Sequence, residues 1–256
     1  MTGRLLYRGM LAGLLAGFLA FGFAKVVSEP LIDRAIALEE SAPHALGHRA
    51  GHSHEHAAPS AQGVSREVQS TLGLFVAVVT YSVSMGGIFA LIYAFCMGRL
   101  GTAHPKMFPM LLALSAFVIV YLVPALKYPS NPPAIGDPQT FQQRTQLFFL
   151  MILVSVVAGV IAVNVTRRLS MLLARGHSVL AGVMSYTVIM VAVGIAFPSF
   201  SEVPDHFPAD LLWNFRLASM GVQAVMWGGI AVAFSLLSDR LLDTVLDPKP
   251  AQPNRA

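Results

Sequence analysis

The sequence predicts an all-α polytopic membrane protein, a bundle of about six transmembrane helices with a histidine-rich external loop. Only 12% of the residues are charged, about half of the roughly 25% found in a soluble domain. Five of the eight histidines fall within thirteen residues. Six apolar stretches reach the about 20 residues that a spanning helix needs, at roughly 5–27, 72–97, 107–126, 146–166, 178–198 and 212–238.

The first apolar stretch allows two interpretations. It follows Arg4 and Arg8, which also fits a cleavable signal peptide. Small residues recur every four positions, however, and this spacing lets helices approach closely in lipid. We therefore favour a retained helix. The small residues are Gly9, Gly13, Gly17, Ala12, Ala16 and Ala20.

A long loop over about 28–71 separates the first two stretches. Its first part, residues 29–40 (EPLIDRAIALEE), alternates apolar and charged residues with a helical period. This pattern predicts a short amphipathic helix at the membrane interface. The segment SREVQ before the second stretch predicts a helix entry with Ser65 as a candidate N-cap.

The histidine cluster occupies residues 44–56 (HALGHRAGHSHEH) of this loop. Neutral imidazole is the commonest protein ligand of divalent first-row metals. The possible ligands in this cluster have nitrogen and oxygen donor atoms and no thiolate. Such ligands suit Co(II), Ni(II), Zn(II) or Cu(II) and do not distinguish among these metals. A soluble polar loop without a metal is the alternative. The predicted metal ligands are His44, His48, His52, His54 and His56.

The distribution of basic residues predicts the orientation. With a cytoplasmic N-terminus, the inside segments hold ten basic and three acidic residues, and the outside segments hold seven and ten. Both termini are then cytoplasmic, and the histidine cluster is periplasmic. We expect a single integral membrane domain over 1–245 and a disordered tail over 246–256.

The predicted membrane interior contains few groups that could carry chemistry. No Asp, Glu, Lys or His falls at the centre of a stretch, which argues against a self-contained ion-coupled antiporter. In the last stretch, Arg216, Met220, Gln223 and Trp227 share one helical face, which either lines a path or bonds to neighbouring helices. Arg216 is a candidate to pair there with Asp210 or Asp205. Candidate inner ligands are Tyr81, Ser84, Ser185, Tyr186 and Gln223.

Other classes of function find little support. The single cysteine, Cys96, excludes an intrachain disulfide and a CxxC metal site. The basic residues form no stripe with aromatics, so nucleic acid is not an expected partner. There is no phosphate-binding GxxxxGK[ST] motif. His206 and Asp210 lie close together but lack a nucleophile, so we expect no enzyme and no fixed cofactor.

Four segments resemble the CbtA family of cobalt transporter subunits. They are the glycine- and alanine-rich first stretch running into EPLIDRAIALEE, the histidine loop, YLVPALKYPSNPP, and VPDHFPADLLWNFRLASMGVQAVMWG. The chain departs from the family pattern at Lys127, where a small residue is expected. The resemblance implies uptake of cobalt across the bacterial inner membrane with a small CbtB-type partner subunit.

Three hypotheses follow from the sequence and the resemblance. The first is an uptake permease subunit for a transition metal, most simply cobalt, whose external histidine loop collects the ion. The second is a membrane-bound metal chaperone or sensor that does not conduct. The third is an integral membrane enzyme that uses a metal bound in the loop.

Overall fold

The computed structural model describes residues 2–41, 66–97, 99, 107–133, 135–136, 138–204 and 207–246. This described part of the chain is helical and contains no strand. Its α-helices are α1 (Thr2–Phe23), α2 (Glu29–Ser41), α3 (Arg66–Val68), α4 (Leu74–Cys96), α5 (Met107–Ala116), α6 (Val123–Lys127), α7 (Pro138–Leu169), α8 (Arg175–Ala196) and α9 (Ala209–Leu246). Three π-helical segments are π1 (Ala24–Ser28), π2 (Gln69–Gly73) and π3 (Phe117–Leu122).

Six helical segments of the described chain are long and apolar enough to cross a membrane, which confirms the predicted fold class. Only 11–33% of each apolar window is buried. The remaining apolar surface therefore faces outward, as lipid-facing helices require. The spans are Thr2–Ser41, Gln69–Cys96, Met107–Lys127, Gln139–Leu169, Arg175–Ala196 and Ala209–Ser238.

The helix ends differ from the sequence expectation at several places, among them α9, which continues past 238 to Leu246. Helix α1 continues through π1 into α2, so the predicted amphipathic helix is present and is joined to the first span. Helix α7 begins at Pro138, whereas the apolar pattern indicated a start near 146. Proline suits a first helical position because its missing N–H has no partner there anyway. The additional turns carry polar side chains, which hydropathy alone does not reveal.

The described helices divide into two compact units. The first unit comprises the described residues within Met1–Val26, His56–Ser115 and Gly221–Ala256. The second comprises the described residues within Val27–Glu55 and Ala116–Met220.

In the first unit, α1 packs directly on the backbone of α4. A methyl group added at Gly9 or Gly13 would overlap the backbone of Gly86 or Ser82, and one added at Gly17 would lie 3.1 Å from the Ser82 side chain. The predicted close approach through small residues is thus confirmed. The alanines of the same repeat, Ala12, Ala16 and Ala20, are fully buried.

Helix α1 also contacts α9 within this unit. A methyl group added at Gly229 would lie 2.9 Å from the side chain of Ala16, and one added at Gly221 would meet the ring of Phe23. Farther along, four aromatic rings of α4, α5 and α9 pack together with centroids 5.0–5.3 Å apart. Such ring pairs stabilise a core by about 1 kcal/mol each. The rings belong to Phe89, Tyr93, Phe108 and Phe234.

In the second unit, α7 and α8 form the main helix pair. A methyl group at Gly182 would overlap the hydroxyl of Thr166, so glycine sets the close approach of the two helices. In the same unit, the buried side chains of Tyr128, Met151, Ala158 and Met190 form one apolar cluster. A second cluster holds α2 in place through Ala35, Ile135, Phe207 and Leu211.

We predict that Gly13→Leu disrupts the packing of α1 on α4. The added side chain has no space beside the Ser82 backbone, and overpacking of this kind costs about 2 kcal/mol. The midpoint of SDS-induced unfolding in detergent should fall accordingly. The control is Gly22→Leu in the same helix, because an added Cβ at Gly22 meets nothing within 4 Å. Equal midpoints for the two variants would contradict the packing described.

Candidate functional site

The third span contains a backbone carbonyl, that of Ile119, which receives no hydrogen bond from its own helix. In a regular helix, the Ile119 oxygen would accept the N–H of Val123. Here the Val123 N–H bonds to the oxygen of Val118 across π3. The next residue, Pro124, has no N–H to offer. The Ile119 carbonyl therefore needs a donor from another helix.

Ser155 of α7 supplies this donor. Its hydroxyl Oγ donates to the Ile119 oxygen at 2.6 Å and lies 2.8 Å from Oη of Tyr186 on α8. A serine hydroxyl has a single hydrogen. Because that hydrogen points to Ile119, Tyr186 must be the donor to Ser155. We call these three groups, the Ile119 carbonyl, Ser155 Oγ and Tyr186 Oη, the oxygen triad.

The oxygen triad joins three different spans at their middle. Ser155 is fully buried, and each of the three residues lies near the centre of its apolar span. Close approach of α7 to π3 is possible because Gly159 leaves room: an added methyl group there would lie 2.8 Å from the Ile119 side chain. Backbone oxygen and hydroxyl groups thus converge in the apolar part of the second unit.

One end of the second unit carries a polar cluster around Glu202. The carboxylate of Glu202 forms an ion pair with Arg144 at 2.5 Å and accepts a hydrogen bond from Thr140. Both partners lie in the early turns of α7. The neighbouring turn at Gly136 adopts a φ of 143°, which favours glycine. The cluster ties the segment before α9 to the start of α7.

Two further contacts join the end of α6 and the residue after it to the segment between α8 and α9. Lys127 Nζ donates to Ser199 Oγ at 2.8 Å, and the Tyr128 hydroxyl donates to the Pro198 carbonyl at 2.8 Å. Burial raises the pKa of the Tyr128 phenol, which keeps it protonated as a donor. Lys127, the departure from the family pattern, thus has a structural role in this chain.

Arg216 contacts the proline-rich loop between α6 and α7. Its Nη2 donates to Oδ1 of Asn131 at 3.2 Å. Among the described residues this contact is with an amide and not with Asp210; Asp205, the other predicted partner, lies outside the described residues. The arginine therefore positions the loop between α6 and α7, and an orienting role suits it better than lining a cation path.

The first unit also contains buried polar groups. The hydroxyl of Tyr81 lies against the Gln223 side chain. Gln223 Oε1, Trp227 Nε1 and Ser82 Oγ are buried and have no hydrogen-bond partner among the described atoms. Part of the predicted polar face of the last span is thus turned into the protein rather than toward lipid.

The predicted inner ligands make different hydrogen bonds. Tyr186 belongs to the oxygen triad and Tyr81 faces Gln223, while Ser84 and Ser185 donate to the carbonyls of Thr80 and Gly182 in their own helices. No three His, Cys, Asp or Glu side chains within the described residues come together to hold a metal. The predicted metal ligands His44, His48, His52, His54 and His56 lie outside the described residues, as do Ser65, Asp205 and His206.

Sequence reasoning missed several residues of these sites, among them Ser155, Arg144 and Glu202. A signal for Ser155 existed, because it is an isolated hydroxyl in a long apolar stretch while Pro124 removes a donor from another stretch. Arg144 and Glu202 gave no local signal, since they are 58 residues apart and meet only in the folded chain.

The six apolar helical spans of the described residues define a polytopic α-helical membrane protein. The chain matches the model of a probable cobalt transporter subunit, CbtA, over residues 2–239. It belongs to the CbtA family, as the resemblance indicated. The description as a probable cobalt transporter subunit implies a metal ion and another subunit. No curated protein and no solved structure matches the chain.

We predict that Ser155→Ala destabilises the protein through the Ile119 carbonyl. A buried acceptor left without a donor costs about 1–3 kcal/mol. In a Pro124→Ala background the chain regains an N–H, so the same Ser155→Ala change should cost much less. SDS unfolding of the two single variants and the double variant measures this coupling. Additive effects would contradict the assignment of Ser155 as the substitute donor.

We predict that Glu202→Ala leaves the Arg144 guanidinium without its carboxylate. Breaking a buried pair costs several kcal/mol. The Arg144 side chain keeps 24% of its surface exposed, so we expect a smaller loss of about 2 kcal/mol. In an Arg144→Met background, Glu202→Ala should have a clearly smaller effect on the unfolding midpoint. An equal effect in both backgrounds would mean that the ion pair does not stabilise this end.

Proposed function

We propose that this chain is the membrane-spanning subunit of an uptake permease that moves cobalt inward across the bacterial inner membrane. The observation that carries the proposal is the match to cobalt transporter subunits over residues 2–239. The six candidate spans support it, because a permease needs several helices around a path. The proposal assigns the chain no enzymatic step.

In this proposal the histidine loop collects the ion before it enters the membrane. The five histidines follow α2, which ends at Ser41, and Glu39 and Glu40 lie five and four residues before His44. Acidic groups raise the local concentration of cations. Imidazole nitrogens then bind Co(II) and also accept Ni(II) or Zn(II). The glycines in the loop favour a dynamic collecting segment over a rigid site.

The proposed orientation places this loop in the periplasm and both termini in the cytoplasm. The excess of basic residues in the inside segments supports it. We further propose that α1 is retained in the mature protein. Its buried small-residue face, packed on α4, supports retention because a cleaved segment would leave that face of α4 without its partner.

The proposed partner is a small CbtB-type membrane subunit. The family's description as a transporter subunit supports the need for a second protein. Because the sequence lacks a nucleotide-binding motif, any ATP-driven step would be performed by another protein.

We predict that replacing the five loop histidines by alanine lowers cobalt uptake at low concentration by about tenfold, since the local concentration of the ion falls. Uptake should recover at high cobalt. Cells that express the full chain with its partner subunit allow the measurement with radioactive cobalt. The matched control is His177→Ala, at an exposed helix end.

Two results would contradict this role for the loop. Unchanged uptake at every concentration would remove the histidines from the mechanism. Loss of uptake at every concentration would indicate an obligatory site instead of a collecting segment. Cobalt that binds to the cells without entering them would favour the chaperone or sensor hypothesis.

A further inference from the structure

We propose that the oxygen triad in the second unit is a subsite for the divalent cation on its way through the membrane. The proposal rests on the proposed function, since it assigns a position on the path of the transported ion. It concerns Ile119, Ser155 and Tyr186, which are independent of the histidine loop.

Each oxygen of the triad keeps a lone pair that the observed hydrogen bonds do not use. A carbonyl oxygen has two lone pairs, and Ile119 engages one of them with Ser155. Ser155 Oγ donates its hydrogen, accepts one from Tyr186 and retains one lone pair. Tyr186 Oη donates its hydrogen and retains its lone pairs. Three oxygen donors are thus available at adjacent positions.

The origin of the carbonyl is a second argument. The π3 segment and Pro124 together remove the backbone donor of Ile119 in the middle of a span. Short π-helical segments are frequent at functional sites. In secondary transporters, carbonyls freed by irregular helices near the middle of the membrane coordinate the transported or coupling cation. The third span has the same kind of local irregularity.

The need of the Ile119 carbonyl for a hydrogen-bond donor does not by itself explain the hydroxyl group of Tyr186. One donor is enough for the Ile119 oxygen, and Ser155 provides it at 2.6 Å. The phenol adds a further oxygen from a third helix, 2.8 Å from Ser155. A phenylalanine would fill nearly the same volume without bringing a polar atom into the apolar part of the unit. The hydroxyl therefore points to a role with a ligand.

Neutral oxygen donors also suit a transit site. Conduction requires binding that is strong enough to admit an ion and weak enough to release it. Hydroxyl and carbonyl groups bind a partly hydrated divalent cation weakly compared with imidazole or carboxylate. In this arrangement the histidine loop collects the metal, and the oxygen triad passes it on.

The first test is Tyr186→Phe. This change removes one oxygen while Ser155 still bonds to Ile119. We expect cobalt uptake at subsaturating concentration to fall about fivefold, as for the loss of one polar contact, with only a small fall in the unfolding midpoint because the Ile119 carbonyl keeps its donor. The matched control is Thr187→Val, whose hydroxyl bonds to the Val183 carbonyl of its own helix. Equal uptake by the two variants would overturn the proposal.

The second test is Ser155→Cys, which places a thiol at the proposed subsite. Thiol ligands favour softer metals, so Cd²⁺ should block cobalt uptake by this variant at about tenfold lower concentration than in the control. The control is Ser115→Cys, because Ser115 is exposed and bonds to Leu111 in its own helix. Equal sensitivity to Cd²⁺ would count against the subsite. If Ser155→Cys does not accumulate in the membrane, the uptake measured for Tyr186→Phe alone decides whether the proposed subsite exists.

These assays distinguish a failure of the proposed function from a failure of the proposed subsite. Wild-type protein that takes up no cobalt would refute the proposed function, and the subsite would fall with it. Wild-type protein that transports cobalt, together with unaffected Tyr186→Phe and Ser155→Cys variants, would refute the subsite alone.

Discussion

Every backbone N–H and C=O group inside a bilayer needs a partner within the protein, because the hydrocarbon offers none. This constraint accounts for the helical spans, in which each segment satisfies its own backbone. It also accounts for Ser155. Where π3 and Pro124 leave the Ile119 carbonyl without a donor, another span provides a hydroxyl at 2.6 Å. The meeting of polar groups from three spans at Ser155 thus follows from a local irregularity in a helix.

Packing between helices follows from the same environment. Lipid chains are as apolar as leucine, so helix pairs are stabilised by close contact instead of by exclusion of water. Glycine provides this contact between α1 and α4 and between α7 and α8. The connecting segments of the second unit are held differently, by the Arg144–Glu202 pair and by hydrogen bonds from Lys127 and Tyr128. Close packing therefore holds the spans, while charge and hydrogen bonding hold their ends.

The six spans, the amphipathic α2 and the small-residue face of α1 were predictable, because each depends on a pattern within one segment of sequence. The early start of α7 was not, since hydropathy ends where polar residues begin. Ser155 and Glu202 were also missed. Their roles depend on partners 36 and 58 residues away, and a single sequence does not show which distant residues meet. The histidine ligands rest on sequence alone, because they lie outside the described residues.

The central claim is that this member of the CbtA family carries cobalt across a bilayer. The most direct measurement is the accumulation of radioactive cobalt inside vesicles that contain the full chain and its partner subunit, compared with protein-free vesicles. The account predicts saturable accumulation that an ionophore for divalent cations releases. Cobalt that stays bound to the outside and is removed by an impermeant chelator would contradict transport.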